Sequence, residues 1–173
     1  MTHPTPVSAS PLARAYEPLQ LGPVALHNRY VKAGTYEGMN VDNAPSAALV
    51  KHHVEIAAGG VGMTTLGYTA VHPDGRTFAE ESWIDASNVA RFRALTAAVH
   101  AAGARASLQL GHCGTMTRTP NRSVRKPGGP SKTLNLYGAM VGALFTREMT
   151  QADIDAVIGQ FVDAARHAVD AGF

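Results

Sequence analysis

The sequence predicts an α/β fold built on a parallel sheet, and three observations carry that expectation. Short apolar runs alternate with amphipathic helical patterns. Two of the helical patterns end in glycine and pass directly into the next apolar run. The run that begins at Val61 is continuous rather than alternating, as in a parallel strand covered on both faces.

The elements follow in order. Residues 1–15 are rich in Pro, Ser, Thr and Ala and read as a mobile tail rather than a signal peptide, because no apolar core is present. Leu19-Gln-Leu-Gly-Pro-Val-Ala-Leu26 predicts a hairpin around Gly22-Pro23. Asn28-Arg-Tyr-Val-Lys-Ala-Gly34 gives the first core strand, ending in small and polar residues suited to a site. A helix follows from Pro45, taken as first-turn proline, with Leu49, Val50, His53, Ile56 and Ala57 on one face and Gly59-Gly60 as its stop. Val61-Gly-Met-Thr-Thr-Leu-Gly67 is the second strand, and Pro73-Asp-Gly-Arg76 is a turn.

The second helix takes Ser87 or Asn88 as cap, presents Val89, Phe92, Leu95 and Val99, and stops at Gly103. Residues 104–110 form the third strand, which ends in Gln109, Gly111, His112 and Gly114. Residues 111–147 make a connection long enough to be functional or mobile. Thr150 and Asp153 form a variant capping box, with Asp in place of Glu or Gln, for a third helix with the face Ile154, Val157, Ile158, Phe161, Ala165 and Val169. Gly172 and Phe173 stand where the earlier repeats carry a stop and open a strand. Three strands cannot close a (β/α)8 barrel, which needs eight and typically ~250 residues. A doubly wound nucleotide-binding sheet lacks its signature, since Gly59-Gly-Val-Gly62 precedes a strand instead of following one.

Composition narrows the function. With 173 residues, 45% of them hydrophobic, the chain can bury a core as one domain. A net charge of +2, with Arg118, Arg122, Arg125 and Lys126 set among Thr, Pro, Asn and Gly, gives no ground for nucleic-acid binding. No apolar run approaches the ~20 residues of a membrane span. Cys113 is the only cysteine, which excludes an intrachain disulfide and fits a reducing, cytoplasmic setting. No HExxH or CxxC spacing supports a metal, and His52-His53 are adjacent on a helix and point apart. Glu80-Glu81 read as a solvated loop, Trp83 as a loop anchor and Cys113 as ordinary packing. His100 reads as an exposed helix residue, and Tyr137 as a candidate for the substrate channel. Gln109 either ties off a buried strand end or faces a ligand; its carboxamide offers one donor group and one acceptor for either purpose.

A series of pieces then resembles the flavin-dependent Old Yellow Enzyme group of NADH:flavin oxidoreductases, which includes the 2,4-dienoyl-CoA reductases. They are Leu19-Gln-Leu-Gly22, Leu26-His-Asn-Arg-Tyr-Val-Lys-Ala33, Tyr36-Glu-Gly-Met39, Ala58-Gly-Gly-Val-Gly62 and Pro73-Asp-Gly-Arg76, followed by Gln109-Leu-Gly-His112, Gly129-Pro-Ser131, Arg147-Glu-Met-Thr150 and Ala171-Gly-Phe173. The resemblance implies residues 16–173 of an FMN-binding (β/α)8 TIM barrel: its N-terminal hairpin and first three strands and helices, ending before the fourth strand. It implies that backbone at Ala33, Gly34, Thr35 and Tyr36, and near Gly67 and Tyr68, lies against the flavin, and that Gln109 reads the pyrimidine edge. Hydrogen-bond donors at that edge stabilise negative charge on the reduced ring.

The implied activity is hydride transfer from NADH or NADPH through FMN to an activated alkene or related small-molecule acceptor. Two residues depart from the family pattern: Tyr36 stands where Thr, Cys or His is frequent, and Thr115 replaces the arginine of a His-x-Gly-Arg motif. The histidine pair or histidine-asparagine pair that binds the substrate oxygen, and the phosphate loops, follow the fourth strand in the family. The expectation is therefore a non-autonomous fragment that pairs with a complementing C-terminal half. The competing expectation is a non-catalytic half-barrel module that forms homo-oligomers around a vestigial flavin site. A flavin-independent (β/α)8 aldolase would need a lysine at a strand end, for which Lys32 is the sole candidate.

Overall fold

The structure, a computed structural model, describes residues 12–173. The tail expectation for 1–15 falls mostly outside them; from Ala13 to Tyr16 the chain makes a 3-10 turn. The Tyr16 ring meets the Tyr30 ring edge-on at 5.2 Å.

Strands β1 (Leu19–Leu21) and β2 (Val24–Leu26) form the expected antiparallel hairpin, with Leu21 opposite Val24. Gly22 occupies the turn at φ +55°, a conformation that glycine adopts without penalty. β3 (Val31–Lys32) is much shorter than the run from Asn28 to Gly34 suggested, because only these two residues pair, with Met63 and Thr64. Residues 33–39 continue as irregular chain across the strand ends. A small ladder, β4 (Asn40–Val41) with β5 (Ala44–Pro45), leads into α1 (Ala47–Ala58). Pro45 thus lies in β5 and not in the first turn; Ser46 caps the helix by accepting the Leu49 N–H.

β6 (Met63–Ala70) is the central strand and is buried along most of its length, as its continuous apolar pattern required. It pairs in parallel with β3, with β7 (Ser82–Trp83) and with β8 (Arg105–Gly111). Leu66 pairs with Leu108, but the next pair is Thr69 with Leu110, so Gly67 and Tyr68 face the single residue Gln109 across a β-bulge. Beyond these, β9 (Gly128–Gly129) and β10 (Arg147–Glu148) form a short parallel pair within the long connection.

α2 (Val89–Ala101) covers the sheet with Phe92, Leu95 and Val99, all fully buried. Asn88 precedes the helix but spends its side chain on Trp83 O and the Asp85 N–H instead of capping. α3 (Gln151–Asp170) opens with the complete capping box of Thr150 and Asp153. Its C-terminus is fastened to α2: Arg93 donates twice to Asp170 O, at 3.1 and 3.0 Å, and Thr96 Oγ1 donates to Ala171 O.

The expected face of α3 is corrected by the structure. Ala164 and Ala168 are the residues it buries, while Ile154, Ile158, Phe161, Ala165 and Val169 are exposed, Ile158 by 58% and Val169 by 71%. The amphipathic pattern was legible, but no described element packs on that stripe. Among the described residues β8 likewise pairs with β6 alone, so the sheet they form is open and closes no barrel. Among the described residues, no helix is long and apolar enough to cross a membrane.

Candidate functional site at the strand ends

The C-terminal ends of β3, β6 and β8 meet at the bulge. A side chain begun at Gly34 would sit 2.9 Å from Gln109 Oε1, so the backbone that follows β3 passes directly against the carboxamide. At Gly67 a Cβ would fall 2.0 Å from Thr35 O, which only glycine accommodates. Ala33, Gly34, Thr35, Tyr36 and Gln109 are exposed and form one open surface. The Gln109 carboxamide makes no hydrogen bond among the described residues. It therefore does not tie off the strand end, and both of its groups are free for a ligand.

Tyr68 has a different place from these five. Its ring packs where a Gly111 side chain would project, and its hydroxyl donates to Gly75 O at 2.7 Å. Burial, reinforced by Cys113 and Glu81 nearby, holds its phenol well above the usual range, so it remains a neutral wall. What Tyr68 can offer a ligand is backbone and ring surface. The Tyr36 ring stacks on Phe78 at 5.6 Å, and its phenol is raised by partial burial and by Glu81 and Glu80.

Beneath this surface lies a polar cluster that sequence reasoning missed. Glu37 pairs with Lys32 Nζ, lies 3.4 Å from His53 Nε2 and accepts the Gly67 N–H at 3.2 Å. Lys32 also donates to Thr65 O at 3.1 Å, and His53 Nδ1 meets Thr64 Oγ1 at 2.7 Å. Burial pushes the Glu37 carboxyl upward, but His53 and Lys32 outweigh it and hold the group below its ordinary value. Paired in this way, Lys32 is not the free amine that an aldolase would require. One clue was available: His53 sits on the apolar face of α1 with Leu49 and Ala57, where a titratable side chain needs a partner.

Glu81 is a further correction. Instead of lying in solvent it is 3% exposed, accepts the Thr77 N–H at 2.5 Å and is raised chiefly by burial. Cys113 donates to Arg76 O at 3.1 Å, and burial pushes its thiol up to about 11, which makes it an inert packing residue. His112 accepts the Gly114 N–H at Nδ1, and burial lowers it, so it is neutral near pH 7. His100 is half-buried on α2 and also lowered by burial. Trp83 lies in β7 with its indole N–H on Asp85 at 2.9 Å. Tyr137 is 62% exposed on the long connection, beside the Arg118 guanidinium. A separate cavity of about 210 Å³ lies between His72, His112 and the first half of α3, away from Gln109. No group of three His, Cys, Asp or Glu side chains among the described residues could hold a metal.

Parallel strands joined by covering helices, with an exposed carboxamide at their C-terminal ends, make part of a (β/α)8-type fold. The known proteins agree. The NADH:flavin oxidoreductase / NADH oxidase family, whose cofactor is FMN, matches residues 14–173, and the chain belongs to it. It is 40% identical over 169 residues to 4,4′-dithiodibutanoate disulfide reductase of Rhodococcus erythropolis, covering 96% of this chain and 40% of that protein. It is 30% identical over 166 residues to an NADPH dehydrogenase of Listeria monocytogenes, covering 94% of this chain and 46% of the relative. Morphinone reductase in complex with tetrahydroNAD superposes with a TM-score of 0.80 at 22% identity, over 92% of this chain and 47% of the other, which shows the shared fold. The chain thus spans less than half the length of these relatives.

The residues present fit the ring of the flavin. Gly34 is exposed beside the Gln109 carboxamide, which can match alternating carbonyl and N–H groups at the ring's edge; Gly67 is buried and instead gives room for Thr35 O to close over it.

Proposed function

We propose that the strand-end surface is the ring side of an FMN site, and that the protein works as an NAD(P)H oxidoreductase passing hydride to a small electrophilic acceptor. The observation that carries this reading is the exposed, unpartnered Gln109 carboxamide opposite the Gly67-Tyr68 bulge and against Gly34. Bound FMN would take hydride from the nicotinamide and deliver it to the acceptor. The chain's own residues would orient the ring: backbone at 33–36 and at Gly67 and Tyr68 sets its plane, and the Gln109 N–H group favours negative charge at the pyrimidine edge. Groups that bind the FMN phosphate and the acceptor's oxygen would come from a protein segment that completes the barrel.

The acceptor class follows from the sequence expectation of an activated alkene. The 40% identity to a disulfide reductase supports a second electrophile, a disulfide reduced to two thiols by one hydride and one proton. The exposed stripe of α3 and the open edge of β8 favour one alternative, a half-barrel that self-associates without catalysis. Anaerobic NADH or NADPH added to the FMN-saturated chain, together with a C-terminal half that completes the barrel, distinguishes them. Loss of the bound flavin's absorbance, restored by an enone or a disulfide, is expected of the oxidoreductase. A colourless oligomer indifferent to FMN would instead establish the structural module.

A further inference from the structure

We propose that Arg118 is a specificity-determining residue that binds a carboxylate on the acceptor, so that the site takes electrophiles bearing an anionic tail. The inference rests on the strand-end surface being the reaction site. Four side chains form a continuous rim beside that surface. Tyr36 stacks on Phe78 with ring centroids 5.6 Å apart and 29° between planes. The Arg118 guanidinium lies 5.7 Å from the Phe78 ring and 5.9 Å from the Tyr137 ring.

The backbone that presents Arg118 is rigid. Its N–H donates to Thr77 O at 2.6 Å. Thr117 and Thr119 on either side are each 1% exposed, and both hydroxyls donate to Arg76 O, at 3.0 and 3.3 Å. Asn135 holds Thr117 O at 2.9 Å. Between two buried, anchored neighbours an exposed guanidinium stands within 5.9 Å of two aromatic rings and with no carboxylate within ion-pair distance among the described residues. Rings that hold a guanidinium leave its planar fork of N–H donors to meet a carboxylate in two parallel hydrogen bonds.

A single monoanionic group is the best match. Arg76, whose carbonyl anchors Thr117 and Thr119, spends Nε on Pro73 O at 2.8 Å and Nη1 on Ala79 O at 2.6 Å and lies over the Trp83 ring, and Arg122 spends its guanidinium on Thr119 O, Val141 O and Arg125 O. Among the described residues the rim therefore offers one positive charge whose donors are not already spent, where phosphate sites typically gather several donors at a helix N-terminus or nest.

The test measures binding to the full chain by calorimetry, with and without saturating FMN, using 4,4′-dithiodibutanoate, its dimethyl ester and tetrahydroNAD as probes. The diacid is expected to bind at least tenfold more tightly than the ester. Arg118→Gln is expected to erase that preference, and Arg118→Lys to keep part of it. Equal affinity for acid and ester, absence of binding by both, or an unchanged preference in Arg118→Gln would overturn the proposal. A loss of tetrahydroNAD affinity without loss of diacid preference would assign the guanidinium to a nucleotide phosphate instead. FMN affinity is read separately from flavin fluorescence, so failure of the flavin reading and failure of the carboxylate reading are distinct results.

Discussion

Glu37 Oε2 accepts the Gly67 N–H at 3.2 Å, which ties the chain leaving β3 to the bulge of β6. The bond joins the two backbone stretches that the strand-end surface is made of, and the Glu37 carboxylate also neutralises Lys32. The shape of the strand-end surface thus depends on a charge buried beneath it.

Replacing Glu37 by Ala leaves Lys32 and the Gly67 N–H without their partner and is expected to cost about 3 kcal/mol of stability, read from denaturant midpoints at neutral pH. Because the folded-state carboxyl is depressed, its contribution is complete above the ordinary carboxylate range and is lost as pH falls through the folded value. The Glu37→Gln variant should therefore lack that portion of the wild-type decline in acid.

Glu81 titrates with the opposite sign. Burial raises its folded value, so the unfolded chain releases its proton first, and stability falls as pH rises from the ordinary glutamate range through the raised one. Glu81→Gln keeps an acceptor for the Thr77 N–H and removes the titration. Its stability relative to wild type should rise across that window; an unchanged difference would mean that the carboxyl is not held up by burial.

The α3 stripe should govern association. Ile158→Lys and Phe161→Lys place charge on the exposed apolar face without touching buried Ala164 or Ala168. Sedimentation velocity is expected to show self-association of the wild type reduced in these variants, with thermal stability changed by less than about 0.5 kcal/mol.

Cys113 should resist alkylation. With its thiol pushed up to about 11 and bonded to Arg76 O, reaction with iodoacetamide at neutral pH is expected to be far slower in folded than in unfolded chain.

Much of this fold was legible because its signals are local. Ser46 and Thr150 cap helices, Gly22-Pro23 turns the hairpin, and the periodicity of Phe92, Leu95 and Val99 marks the buried face of α2. Gln109 was legible as a strand-end carboxamide, though whether it was tied off or free depends on neighbours that sequence does not reveal. The Lys32-Glu37-His53 cluster joins a strand, the irregular chain that follows it and a helix, and only the packing of α1 against the sheet brings His53 to the other two. Glu81 looked like a solvated loop because a carboxylate beside another carboxylate usually is; in the fold the Thr77 and Phe78 backbone N–H groups turn onto its carboxylate and enclose it. The α3 stripe misled in another way. An amphipathic pattern states which face can be buried, and the partner that buries it is a property of the assembled fold.

The flavin assignment of Gln109 is tested most directly by FMN titration of the wild-type chain and Gln109→Ala, followed by quenching of flavin fluorescence. Saturable quenching by the wild type at one FMN per chain, weakened about tenfold in the variant for the loss of one to two hydrogen bonds, is the expected result. Equal affinity of the two chains, or no saturable quenching by either, would contradict it.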